Sequence, residues 1–369
     1  MPIDSIHTLQ QILPDRAQRL PRMIVVDAHV CGGPARVILG GDLIPNISGK
    51  TAFEKMKNIE EHHDWIRKIV LNEPRGYPAG CANIVFPSTH PDCLFSYVIM
   101  EQAKVYPPMS GHNTMAVATV LLETGLIPIK EPVTRFNLEA PAGPIAITAE
   151  VEAGKIKSIE LLNVPAFVFH LGKEIDVPTL GKVKVDVAYG GMIYALADVE
   201  PLGIALVPEE GKTLVRVGEL IKAAAREQLP VVHPENPQIR DVCIVVLRGK
   251  AHSAGATARN TVVMSTGELK WDDESTWTGA LDRSPCGTGT CATMAVKHAR
   301  GDLPLNTPFH HENILGTQFE GRLLEETKVG EYTAVVTTVK GQGYLIGISE
   351  IVMDPKDPFP EGYQVGDIW

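Results

Sequence analysis

Two short segments 176 positions apart constrain this chain more than anything else in it. They are Ser110-Gly111-His112-Asn113-Thr114 and Cys286-Gly287-Thr288-Gly289-Thr290. Each opens on a small nucleophile, and the two share the glycine in second place and the threonine in fifth. Each runs into an apolar stretch of helical character, MAVATVLLETG in one case and CATMAVKHARG in the other. Both stretches stop at a glycine suited to the position just beyond a helix C-terminus. A helix start repeated in this way predicts a duplicated α/β unit, with two halves related by a pseudo-twofold axis. VDAHVCGG (26–33) and VDVAYGG (185–191), each near the start of its half, form a weaker second echo.

Around these starts the chain reads as many short strands joined by tight turns. MIVVDAHV opens the core at Met23, and ANIVFP, FSYVIM, VTRFNLEAP, GPIAITAEVEAG and KSIELLNVP follow. A second series begins near Val185 with VDVAYGGMIYALAD, IALVP, VCIVVLRG and ARNTVVMS, and EYTAVVTTVKGQGYLIGISEIVM closes it. These runs are β-branched and bounded by Gly, Pro, Asn and Asp. Two further helices are expected, one through IEEHHDWIRKIVLNEP and ending before Pro74, the other through TLVRVGELIKAAAREQ. Residues 1–22 read as a surface arm, amphipathic or dimer-forming, ahead of the first strand.

The 34 basic and 44 acidic residues leave a net charge of −10, which disfavours nucleic acid and anionic membranes as partners. No apolar run approaches the roughly 18 residues of a membrane span. The six cysteines (31, 81, 93, 243, 286, 291) form no CxxC pair and no Cys/His zinc spacing, so free thiols in a cytoplasmic setting are expected and no metal is implied. No GxGxxG follows a strand, no Walker A pattern is present, and no lysine is singled out for a pyridoxal Schiff base.

A loop that enters a helix through Gly and Thr leaves backbone N–H groups unpaired and aimed outward. With the helix dipole they form an anion site that suits a carboxylate and lowers the pKa of a neighbouring thiol. Cys286, in DRSPCGTGT, occupies such a start, and a thiolate at neutral pH is expected there. Pro285 fixes the backbone before it, and Gly287 admits ligand atoms close to the chain. Cys291 lies on the inner turns of the next helix and is expected in the core. Cys31, Cys81, Cys93 and Cys243 read as structural. Met192, after Gly190-Gly191, reads as core in preference to a residue of the substrate pocket. If the two starts face each other across a cleft, a carboxylate sits between opposed amides with a nucleophile on each face of Cα. That geometry suits proton abstraction beside a carboxylate.

These same residues carry a resemblance. PPMSGHNTMAVATVLLETG is similar to the first active-site motif of the proline racemase family, in which a cysteine precedes Gly-His, and DRSPCGTGT resembles the second motif almost completely. VDAHVCGGPARV, VDVAYGGMIYA and HENILGTQFEGR support the match. The resemblance implies an α+β fold of two similar domains, each a curved, barrel-like sheet around a central helix, with the active site in the interdomain cleft. Residues 23–183 with 345–369 would form the first domain and residues 184–344 the second. It implies catalysis without a cofactor on a small-molecule substrate, proline or hydroxyproline, and a homodimer is the expected assembly. Cys286 would be one catalytic residue and Ser110 would take the place of the other. Gly111, His112, Asp282, Gly287 and Thr288 would bind substrate. Asp282 would hold the ring ammonium, His112 would line the pocket, and the Gly287 and Thr288 amides would cradle the carboxylate.

The chain departs from the family pattern at Ser110, where racemases and epimerases commonly carry cysteine. A hydroxyl is a far weaker acid than a thiol and is seldom ionised without a neighbouring base. Symmetric two-thiol racemisation is therefore not expected. Elimination has different needs, one base for the Cα proton and a donor for the departing hydroxyl, and one thiol with one hydroxyl can supply them. Dehydration of trans-3-hydroxy-L-proline to a pyrroline-2-carboxylate is the expected reaction. Epimerisation of 4-hydroxyproline at C2 is the alternative, and proline racemisation comes after it. A hydrolase would require a partner base for Cys286, and no Cys-His-Asn pattern supplies one.

Overall fold

The structure, a computed structural model, describes residues 20–365, so the expected arm lies almost wholly outside the described residues. In chain order come β1 (Arg22–Val30), β2 (Gly33–Gly40), α1 (Ala52–His62), α2 (Trp65–Leu71), β3 (Ala82–Pro87), β4 (Phe95–Met100) and α3 (Gly111–Glu123). The chain continues with β5 (Val133–Ala140), β6 (Gly143–Glu152), β7 (Lys155–Leu162), β8 (Ala166–Val177), β9 (Gly181–Tyr189), β10 (Ile193–Asp198) and α4 (Gly211–Gln228). It ends with β11 (Ile244–Gly249), β12 (Ala258–Ser265), β13 (Gly279–Leu281), α5 (Gly287–Ala299), β14 (Phe309–Glu312), β15 (Gln318–Val329), β16 (Tyr332–Gly341) and β17 (Gly343–Val352).

This is the expected β-rich α+β fold, with a few helices inside strongly curved sheet. α3 is buried on almost every side, from Gly111 to Leu122, by β1, β2, β7 and β17. α5 is buried in the same way from Gly287 to Val296, by β8, β9, β15 and β16. A helix that is apolar all round can be stable only inside such a wrapping. β17 returns from the far end of the chain to pair antiparallel with β1, so the first barrel is closed by residues more than 300 positions apart. β16 joins the halves by pairing with β15 on one side and with β7 and β8 on the other. The two glycine-rich echoes become matching hairpin turns, between β1 and β2 and between β9 and β10. Among the described residues no helix is long and apolar enough to cross a membrane.

One helix differs from expectation. The run through IEEHHDWIRKIVLNEP is two helices, broken at His63-Asp64. Asp64 accepts hydrogen bonds from Arg67 Nε and Tyr106 Oη, both at 2.7 Å, and these partners anchor the second helix separately. The first helix starts earlier than its apolar spacing suggested, because Thr51 and Glu54 form a capping box.

Candidate active site

The two repeated helix starts meet tip to tip. A Cβ added to Gly111 would lie 2.8 Å from the Gly287 Cα, and one added to Gly287 would lie 2.7 Å from the Gly111 Cα. No side chain fits in that space, which accounts for the shared glycine of both motifs. Ser110 and Cys286 each stand one residue upstream of this contact. His112 and Thr288, each one residue downstream, are buried beside it. Asp282 is also buried and reaches Cys286 through Ser284. Its carboxylate accepts from the Ser284 N–H at 2.7 Å and the Ser284 Oγ at 3.1 Å, and Ser284 Oγ accepts from the Cys286 N–H at 3.1 Å. All seven residues singled out in the sequence therefore converge on one site.

The two sides are built differently. Ser110 is the N-cap residue of α3 with an extended backbone, φ −148° and ψ 122°, and it is half-buried. Its hydroxyl does not cap the helix. It accepts from Asn113 Nδ2 at 3.0 Å, and Asn113 Oδ1 in turn accepts from Asn83 Nδ2 at 2.8 Å. With that lone pair engaged and no carboxylate or imidazole bonded to it among the described residues, the Ser110 hydroxyl is free to donate rather than placed as a base. Cys286 takes φ +61° and ψ 106°, a conformation L-residues rarely hold. Its sulfur accepts from the Gly289 N–H at 3.3 Å and lies 3.4 Å from Tyr194 Oη, which is 2.6 Å from Thr288 Oγ1. Gly190 and Gly191, in the β9–β10 turn, pack directly on Thr288 and Ala292 and hold this start in place.

The thiol does not have the lowered pKa expected of a helix start. Burial, followed by the charge of Asp282, pushes it up to about 12, and the bonds from Tyr194 and Gly289 only partly offset this. A single amide reaches the sulfur, whereas the whole side chain has lost water. The His112 Nε2 is buried with no hydrogen-bond partner among the described residues, a donor or acceptor left for a ligand.

A cavity of about 110 Å³ lies elsewhere, with none of these seven residues in its lining. Cys81 and Glu101 line it from the first half, and Met192, Ile244, Met264 and Ala280 from the second. Met192 does both things the sequence allowed: it packs against the buried cluster of Tyr194, Leu196 and Val246, and it lines this cavity. Cys81, read as structural, sits beside the Asn113 amide that holds Ser110. Glu101 carried no signal in the sequence. Tyr194 was visible only as part of a matching segment, and Asn113 and Ser284 only as letters within the two motifs.

The sequence profile described as proline racemase matches residues 25–364. The chain belongs to the proline racemase family. It is 35% identical over 341 residues to a proline racemase of Acetoanaerobium sticklandii, covering 92% of this chain and 97% of that protein. To a 4-hydroxyproline 2-epimerase of Streptosporangium roseum it is 39% identical over 338 residues, covering 92% and 97%. Among solved structures, a hydroxyproline epimerase from Agrobacterium vitis with bound trans-4-hydroxy-L-proline superimposes with a TM-score of 0.83. It is 33% identical, and the match covers 94% of this chain and 97% of that one. As an enzyme of the proline racemase family, the chain carries its one thiol of the repeated pair at Cys286.

Proposed function

We propose that this enzyme removes the Cα proton of a hydroxyproline from one face only, and that its reaction is dehydration of trans-3-hydroxy-L-proline to a pyrroline-2-carboxylate. The observation that carries this reading is the unequal pair. Cys286 is a thiol held by Tyr194 and Gly289, whereas Ser110 is a hydroxyl whose oxygen accepts from Asn113 Nδ2. A racemase returns a proton to the face opposite the one it deprotonates, and a serine without a base does this poorly. Elimination needs no return.

In this reading the substrate carboxylate lies between the Gly111–His112 and Gly287–Thr288 amides, with His112 Nε2 available to it. The ring ammonium sits at Asp282. Binding that cation also answers the high pKa of the free thiol. Neutralising Asp282 removes the nearby negative charge that disfavours the thiolate, so the base is formed as the substrate arrives. Cys286 then takes the Cα proton, the C–H pair becomes the Cα–Cβ double bond, the Cβ–O bond breaks with its pair on oxygen, and the thiol returns its proton to that oxygen to complete water and restore the thiolate. The resulting enamine tautomerises to the cyclic imine. The test is incubation of the purified protein with trans-3-hydroxy-L-proline and o-aminobenzaldehyde. Colour from the pyrroline is expected without any added cofactor, and its absence at high enzyme concentration removes the proposal.

A second reading, 4-hydroxyproline 2-epimerisation, is favoured by what the relatives are called and by the trans-4-hydroxy-L-proline bound in the Agrobacterium vitis protein. Chiral chromatography after incubation with trans-4-hydroxy-L-proline separates the two. Appearance of the D-epimer without water loss selects the epimerase.

A further inference from the structure

Resting on the assignment of Cys286 as the base, we infer that Tyr194 is a further catalytic residue, whose hydroxyl turns from Thr288 to the Cys286 sulfur as the thiol ionises. The two contacts that carry this are direct. Tyr194 Oη lies 3.4 Å from Cys286 Sγ and 2.6 Å from Thr288 Oγ1.

The phenol is placed there by the sheet. Tyr194 lies on β10, in register with Ala188 of β9 on one side and Ile244 of β11 on the other. It is 1% exposed and belongs to the buried cluster of Ala188, Leu196, Val246 and Ala292. Phenylalanine would suit such a setting, and a hydroxyl buried among apolar side chains costs free energy unless it is bonded. Thr288 is buried too, and its methyl group is fixed by the β9–β10 turn. A Cβ added to Gly191 would lie 2.7 Å from Thr288 Cγ2. A β-branched side chain held by its methyl has little freedom at χ1, so Oγ1 stays on Tyr194.

A second buried tyrosine shows why this one can switch. Tyr97 Oη meets Thr114 Oγ1, and Thr114 donates to the Ser110 carbonyl at 2.7 Å. That carbonyl takes the threonine proton, so Tyr97 can only donate, and the direction of the pair is fixed. It ends on backbone rather than on the Ser110 hydroxyl. Among the described residues, no backbone carbonyl joins Tyr194 and Thr288, so this pair can run either way. With a thiol at position 286, Tyr194 donates to Thr288. With a thiolate both hydroxyls rotate, Thr288 donating to Tyr194 and Tyr194 to the sulfur, alongside the Gly289 N–H. No heavy atom moves and no proton passes along the pair; the thiol proton leaves to solvent. Burial holds the Tyr194 phenol well above its ordinary pKa, so it remains a donor throughout. Burial also holds the free Cys286 thiol at about 12, so a donor that favours the thiolate gains more in population than it loses in basicity.

The experiment compares wild type, Tyr194→Phe and a protein carrying 3-fluorotyrosine at position 194, all at neutral pH. One readout is alkylation of Cys286 by iodoacetamide, followed on its own peptide by mass spectrometry. The other is loss of the Cα–H signal of the hydroxyproline that wild type consumes, followed by NMR in D₂O. A hydrogen bond to a charged group is worth about one to two units of thiol pKa, so Y194F should hold roughly 10- to 100-fold less thiolate. The thiolate that remains is more reactive, which leaves both rates about 3- to 10-fold below wild type at nearly unchanged KM. 3-Fluorotyrosine, a stronger donor of almost the same size, should raise both rates above wild type. Rates in Y194F within about twofold of wild type overturn the inference. A loss in Y194F with no response to 3-fluorotyrosine overturns it too, because that is the mark of a structural role. If Cys286→Ala keeps its turnover, the base assignment fails and this inference fails with it. If C286A is inactive while Y194F is not impaired, the inference alone fails.

Discussion

The starts of α3 and α5 are the same local structure used in two ways. Both are N-cap positions before a Gly, both lead an apolar helix inside its own curved sheet, and their glycines touch. On the α3 side the leading residue is relaxed, half-exposed and bound through its side chain to a buried amide pair. On the α5 side it is strained, buried, and held by a tyrosine, an amide and a serine-carboxylate relay. Strain and enclosure have been concentrated on one member of a duplicated pair. On the function proposed above, duplication supplies two opposed cradles and divergence decides which of them is reactive.

The sharpest way to break that contrast is to remove the reactive member. Cys286→Ala is expected to lower Cα-proton exchange by about 10³-fold or more, the upper range for loss of a positioned acid–base group. Ser110→Ala should cost roughly tenfold, because it deletes a donor and not the base. Ser110→Cys restores a thiol on the second face and should make the D-epimer appear where wild type gives little. α-Deuterium NMR with chiral separation reads all three. Comparable losses in C286A and S110A would show that the two sides are functionally alike despite their geometry.

The glycine contact comes next. Gly111→Ala and Gly287→Ala each place a methyl group where the other helix backbone already lies, at 2.8 Å and 2.7 Å from the facing Cα. Overpacking of this kind costs about 1–3 kcal/mol, and here it also separates the two halves of the site. Denaturation midpoints and turnover should fall together in both variants. A variant that loses neither would mean that the halves move apart more freely than their contact implies.

Local chemistry was legible in the sequence, and tertiary chemistry was not. The two motifs, the helices they start and the strands around them follow from residues a few positions apart. The break at His63-Asp64 escaped because the partners that define it, Arg67 and Tyr106, act through side chains rather than through apolar periodicity. β8 was missed because AFVFHLGKEIDV loses its clean alternation at bulges. The thiol's pKa was expected to shift in the wrong direction for a related reason. The dipole of a helix start can be seen in a sequence, whereas the desolvation that outweighs it belongs to the folded cleft.

Electrostatics offers a finer test. In the free enzyme, Asp282 is second only to burial in holding the Cys286 thiol at about 12. A thiol raised in this way becomes active as pH increases, so kcat/KM of the wild type should rise through the alkaline range. Asp282→Asn removes the repelling charge and should move that rise to lower pH by roughly one unit, about 1.4 kcal/mol of differential interaction. On the proposed role of Asp282 as counter-ion to the ring ammonium, the same change should also raise KM. An unshifted profile would mean that burial alone sets the thiol and that the two sides differ less in charge than in enclosure.

The smallest effect isolates the strain at Cys286 from its chemistry. Cys286→Gly and Cys286→Ala both abolish the thiol, so neither is active, but they should differ in stability. At φ +61° an alanine keeps the conformational penalty of order 1–3 kcal/mol that a Cβ incurs, whereas glycine has none. Glycine is also tolerated at an N-cap where alanine is poor. Against this, the glycine chain gains about 0.4–1 kcal/mol of unfolded-state entropy. The balance favours C286G by about 1 kcal/mol, read as a higher denaturant midpoint at unchanged slope. At position 110 the backbone is extended, with φ −148°, and the order should reverse, with S110A more stable than S110G. If both positions respond alike, the strain does not distinguish the two helix starts, and the asymmetry between them is chemical alone.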